Sequence, residues 1–247
     1  MTALRRLTVM EAKLLLRDPA AVVMALAFPM LLIIVLGAVM PGFRTPVPEL
    51  AGLRPIDVYL PVVVALAVAT VALNSLPTTV AGYRERGVLR RMATTPVRPG
   101  KLLGAQLVVA VAATTVAIGL AVAAAAVGFR VPLPARPASF AGVFLLGAAA
   151  TFAVGLLVAA LVPTSRSANA VSMLLYFPML FFAGVWTPGP LMPESIRRIA
   201  DVTPLGALSQ SMQATWTGGP VRPLHLLVLV GYLVGAGVLA ARLFRWR

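Results

Sequence analysis

The sequence predicts an all-α polytopic membrane protein with six transmembrane helices, and three observations lead there. Of the 247 residues 60% are hydrophobic and the mean hydropathy is +0.95, well above the roughly half-apolar composition of soluble domains. The apolar residues gather into six runs, 20–40, 58–80, 102–127, 139–162, 169–186 and 224–244, each near the length of about 20 residues that crosses a bilayer. The formal charge of +14 sits at the ends of these runs, none of which carries Asp, Glu, Lys or Arg before its terminal turn. In a soluble chain that charge would suggest nucleic acid. At run ends it serves membrane orientation instead, so the bilayer is expected as a partner and nucleic acid is not.

Residues 1–19 come first. Leu4, Leu7, Leu14 and Leu15 share one helical face, while Arg5, Arg6, Lys13 and Arg17 share the other. That is an interfacial helix suited to an anionic inner leaflet. Glu11 falls inside the apolar stripe, and two readings stay open: it faces an arginine of the 83–98 loop, or it reaches out to water. The first run, 21 residues long, exceeds an ordinary signal-peptide core and reads as a retained span. The fifth run is the shortest, and Pro188, Pro190 and Pro193 follow it. In the outer segment 187–223, Pro193-Glu194-Ser195 opens a short helix carrying Ile196, Ile199 and Ala200, which Thr203-Pro204 stops. The stretch 205–216 is too short and polar to span and reads as interfacial. In the last run Gly231 and Gly235 form a small-xxx-small pair that permits close helix approach. No internal repeat is visible, and 1–247 reads as a single transmembrane domain.

Six spans put both termini on one side. With the termini inside, the inner segments hold 14 Arg and Lys and the outer segments 7, so the positive-inside bias places both ends in the cytoplasm. The absence of Cys removes disulfide and thiolate chemistry. Arg outnumbers Lys 19 to 2, a composition of high-GC bacteria, and a bacterial inner membrane is the expected location.

The densest polar pattern is the 81–101 loop between the second and third runs. Read as a continuous helix, it puts Glu85, Val88, Leu89 and Met92 on one face and Arg86 and Arg90 on the other. A helix lying on lipid would not centre an unpaired carboxylate in its apolar stripe, because burying that charge is costly. A helix plugged into a protein groove with its own cation could, so the pattern implies a docked soluble partner.

Catalytic signatures are missing. Pro99-Gly100-Lys101 lacks both the upstream glycine and the following hydroxyl of a phosphate loop, so ATP hydrolysis by this chain is not expected. The one histidine, His225, begins the last run and reads as interfacial, with no neighbours in sequence for a metal site. No run contains the titratable groups an ion-coupled transporter needs. In the second run Thr70, Asn74 and Thr78 stand at i, i+4 and i+8. Two readings stay open here also: a polar line along a central cavity, or local satisfaction with Asn74 holding two helices together. Asn169, Met173, Phe177 and Leu180 share a face of the fifth run.

These features together resemble a type-2 ABC transporter permease, including drug-resistance and polysaccharide-export subunits such as the daunorubicin-export permeases. The resemblance covers the whole chain. Its most specific parts are Glu85-Arg86-Gly87-Val88-Leu89-Arg90-Arg91-Met92 with Thr95-Pro96, similar to the family's coupling motif, and Leu191-Met192-Pro193 through Thr203-Pro204-Leu205. It implies a half-transporter that dimerises with itself or a close relative and binds two separate ATPase subunits. It further implies that ATP and Mg belong to those subunits, with no cofactor on this chain. On that basis Glu85, Arg86, Val88, Leu89, Met92 and Glu11 are the expected ATPase contacts. Thr70, Asn74, Thr78, Met173 and Phe177 are the expected pathway residues, with the fifth span at the dimer axis. Export is favoured, of a drug, lipid or glycan carrier.

Overall fold

The structure is a computed structural model and describes residues 3–50, 52–93, 100–188 and 191–244. Among these residues it is helical, with no strand. Four helices are long and apolar enough to cross a membrane, or five when Val23–Val39 and Pro41–Leu50, bent by 107°, count as one crossing.

Helix α1 (Ala3–Arg17) lies against the start of α7 (Gly100–Phe129). A short α2 (Pro19–Val22), a π turn (Val23–Ala27) and α3 (Phe28–Val39) follow. Next comes a 31-residue rod, Pro55–Glu85, composed of α4 (Pro55–Ala69), a second π turn (Thr70–Ser75) and α5 (Leu76–Glu85). The two π turns share a cause in the sequence. A proline ring clashes with the carbonyl four residues back and offers no N–H to it. Immediately before Pro29 and Pro77 the chain switches to i→i+5 bonding, Phe28 N–H to Val23 O and Leu76 N–H to Val71 O, which widens the turn and relieves the clash.

The rod is the axis of the fold and is buried along nearly all its length. Around it stand α3, α7, α8 (Pro137–Leu161), α9 (Ser165–Ala183) and α11 (Pro204–Thr217), with α12 (Pro223–Leu243) packed on α8. The second π turn meets α8 where Gly155 has no side chain: a Cβ there would stand 1.9 Å from Ala72 O. That contact requires glycine, because backbone cannot give way. Arg84 donates to Ala159 O (3.0 Å) and Val162 O (2.6 Å), satisfying carbonyls at the C-terminal end of α8 that no further turn can reach. At the same end Thr164 and Ser167 cap α9 reciprocally.

Two expectations change. The 205–216 stretch is no interfacial segment: it forms α11, wedged between α4, α8, α9 and α12, with Leu205, Leu208 and Met212 fully buried. Ser211 and Thr215 are buried with bonds to His225 and Met212 O inside the protein, so hydropathy alone misplaces the segment. Helix α9 covers the fifth run but, with Arg166, Asn169 and three serines in it, does not qualify as a span by length and apolarity.

Candidate functional site: the α5–α6 turn and the cavity beside it

The rod ends at Glu85. Arg86 closes the helix, Gly87 turns the chain at φ +67°, and α6 (Val88–Ala93) begins a new direction. The positive φ makes glycine the natural residue at this turn. It also breaks the single amphipathic face that the sequence predicts, because Glu85 belongs to one helix and Val88, Leu89 and Met92 to the next. Glu85 is exposed and accepts a 2.7 Å hydrogen bond from Ser165 Oγ at the start of α9. Arg86 is exposed, donates to Gly82 O at 3.1 Å and stacks its guanidinium 5.6 Å from the centre of the Tyr83 ring. Leu89 is 1% exposed and anchors α6 to the body, while Val88 and Met92 are half-buried. A shallow pocket of about 300 Å³ lies against Arg84, Glu85, Leu89, Arg90 and Pro163. The Thr95-Pro96 part of the motif lies outside the described residues.

On the other side of α6 a larger cavity, about 770 Å³, opens between α1, α5, α6 and α7. Leu7, Met10, Leu14 and Leu15 of α1 form an apolar wall. Ser75, Thr78, Thr79, Tyr83 and Gln106 add polar groups. Glu11 is 7% exposed, so it does not reach water, and among the described residues it meets no arginine, Arg98 of the loop lying outside them: the Tyr83 hydroxyl donates to both carboxylate oxygens at 3.0 Å, and the Gln106 side chain also hydrogen-bonds to it. Burial pushes this carboxyl above its ordinary 4.5, and the bonds from Tyr83 and Gln106 offset part of that rise. Arg86 of the loop lines the same cavity, its guanidinium over the Tyr83 ring.

The pathway candidates disperse. Thr70 donates back to Leu66 O (2.8 Å) and meets the Tyr176 hydroxyl of α9 at 2.9 Å, buried between two helices. Asn74 is half-buried within the π turn and is not among the residues lining the cavity. Thr78 lines the cavity and donates to Asn74 O at 2.8 Å. The π turn is the reason, since its wider register rotates residues that an α-helix would stack at i+4. On α9, Met173 is half-buried, whereas Leu174 and Phe177 are 74% and 54% exposed. Gly231 and Gly235 of α12 face open space.

A cluster that hydropathy could not reveal closes the opposite end. His225 is 2% exposed rather than interfacial, and its Nε2 lies 3.0 Å from Asp201 Oδ1 and its Nδ1 3.2 Å from Ser211 Oγ. Arg222 adds a 2.8 Å ion pair to the same carboxylate. Burial would raise the Asp201 carboxyl, yet the bonds from His225, Arg222 and Gln210 outweigh it and hold the group below its ordinary 3.8. The Ser-His-Asp order matches a hydrolase relay, but Ser211 is wholly buried, leaving its oxygen no access to a substrate carbonyl. The cluster is a tie between the α10–α11 turn, after α10 (Glu194–Ala200), and the start of α12. The signal in the sequence was the pairing of the only histidine with one of seven acidic residues, which is too weak to read without the fold.

No curated protein matches the chain. The family model described as ABC-2 type transporter matches residues 2–216, from α1 through α11 and across both the cavity and the α5–α6 turn, so the chain belongs to that family as a non-catalytic membrane subunit of an ABC transporter.

Proposed function

We propose that the chain is the membrane half of an ATP-driven exporter of the bacterial inner membrane. It crosses the bilayer six times with both termini in the cytoplasm, pairs with a second copy or close relative, and moves a hydrophobic or amphipathic molecule. Two separate ATPase subunits, which hold ATP and Mg, dock on the α5–α6 turn. The observation that carries this reading is the turn itself: the central rod stops there, Glu85 and Arg90 stand exposed around a pocket on its tip, and Arg86 is exposed beside them. A push on that tip acts on the most buried element of the fold. The exposed Leu174 and Phe177 of α9 support a dimer face, because contiguous large apolar groups fit either a partner or lipid.

The chain has no native cysteine, so single-cysteine variants test the topology cleanly. Cysteine at Arg90 is expected to react only with reagents that enter the cytoplasm, and cysteine at Glu194 with impermeant reagents applied outside. Labelling of both from the same side contradicts the proposed arrangement.

A further inference from the structure

The 770 Å³ cavity holds a buried carboxylate whose hydrogen-bond partners are neutral. Glu11 is 93% buried by its 7% exposure, and the groups that hydrogen-bond to it, Tyr83 and Gln106, are both neutral. A carboxylate offers about four lone-pair positions, and these two donors fill about half of them. Beside it the Gln106 side chain, 8% exposed, leaves its Oε1 buried with no hydrogen-bond partner among the described residues. Buried polar atoms are almost always paired, so an orphan needs a reason. Carboxylate and amide oxygens together present unfilled acceptors side by side in the cavity wall. The guanidinium of the rod that lines the cavity, Arg86, donates through Nε to Gly82 O and lies over the Tyr83 ring. The other charged groups lining the cavity, Asp18 and Arg91, belong to its rim: both are exposed, and Arg91 bonds Arg86 O.

From this geometry we infer that the cavity binds an amphiphile bearing a primary ammonium, its N–H groups on Glu11 and Gln106 and its apolar body along Leu7, Met10, Leu14 and Leu15. A protonated primary amine has three donors and no acceptor, which complements the vacant acceptors. The apolar wall of α1 stabilises the body by removing it from water. This deepens the transport reading by naming a cargo class. Two sources share the chemistry, a free amphiphilic amine and the amino headgroup of a bilayer lipid.

The test is equilibrium binding of dansylcadaverine, a fluorescent amphiphile with a primary ammonium, to the full chain in phosphatidylcholine nanodiscs. Its neutral N-acetyl derivative is the control. The wild-type chain is expected to prefer the ammonium by about tenfold or more, the scale of a hydrogen bond to a buried charge. Glu11→Gln should erase that preference while leaving the neutral derivative unaffected. Tyr83→Phe removes a donor competing for the carboxylate and should widen the preference. That variant decides the matter should Glu11→Gln not be monodisperse. No ammonium preference in the wild type, its survival in Glu11→Gln, or an unchanged preference in Tyr83→Phe overturns the inference. Adding phosphatidylethanolamine separates the sources: weakened dansylcadaverine binding assigns the site to a lipid headgroup, and undiminished binding assigns it to a free amine. No ATPase is present in this experiment, so its failure leaves the coupling proposal standing, and failure of coupling leaves the binding result readable.

Discussion

Two carboxylates are buried at opposite ends of this bundle to the same degree, each 7% exposed. Asp201 meets a guanidinium in a 2.8 Å ion pair and an imidazole at 3.0 Å. Glu11 meets a phenol and an amide and, among the described residues, no cation. The environments drive their protonation in opposite directions, Asp201 below its ordinary value and Glu11 above it. The difference separates a finished contact from an unfinished one. The Asp201 end has its acceptors matched and holds α10, α11 and α12 together; the Glu11 end faces a cavity and has acceptors to spare.

Replacing each carboxylate breaks or sharpens that contrast. The largest effect is expected at Asp201: Asp201→Leu leaves His225 buried without its acceptor, a loss of about 1–3 kcal/mol, read as a lower midpoint of thermal unfolding in detergent. Glu11→Gln should go the other way, with an unchanged or raised midpoint, because a buried charge lacking a cation is replaced by a neutral group of the same shape. Equal losses for the two variants would erase the distinction.

Titration gives the same contrast a sign. A depressed carboxyl contributes stability that is present above its unfolded pKa and lost as pH falls through the folded value. The penalty of Asp201→Asn should therefore shrink as pH drops below 3.8. Glu11 is raised, so the folded chain holds its proton longer and stability declines as pH climbs from 4.5 toward the folded value. The advantage of Glu11→Gln should accordingly grow over that range, with Tyr83, Arg86, Arg91 and Asp18 lining the same cavity in both proteins. Unfolding midpoints measured from pH 3 to 7 on the matched pairs would show both trends or refute them.

The smallest effect belongs to the rod between the two ends. Thr70→Val removes the 2.9 Å contact with Tyr176 and should cost about 0.6 kcal/mol, the average for such bonds between membrane helices. A loss several times larger would mean that the π turn itself depends on the hydroxyl.

The helices were legible because hydropathy runs long enough to cross a bilayer have few other uses. The α10 start at Pro193-Glu194 was legible from proline and capping chemistry, whereas Thr203-Pro204, read as its stop, opens α11 three residues after α10 ends at Ala200. What could not be read was anything set by register or by contact. The π turns rotate Thr70, Asn74 and Thr78 away from one line, although Pro29 and Pro77, each directly after a π turn, were a usable cue. Gly87 was visible as a residue but not as a break, since glycine inside a helix is tolerated unless φ turns positive, as it does here at +67°. Glu11 stood out as a carboxylate in an apolar stripe, yet its partner Tyr83 lies 72 positions away. Asp201 and His225, 24 positions apart, pair only once α11 folds between them.

The proposal that energy enters at the α5–α6 turn is tested most directly by reconstituting the chain with its ATPase subunit and measuring captured ATPase and ATP turnover for the wild type and Glu85→Lys. Glu85 is exposed and its carboxylate accepts from Ser165 at the start of α9, so the substitution leaves the buried core in place. We expect the chain alone to turn over no ATP, the wild-type complex to do so, and Glu85→Lys to insert normally while losing capture and stimulation. Full capture and turnover with Glu85→Lys, or turnover by the isolated chain, would contradict it.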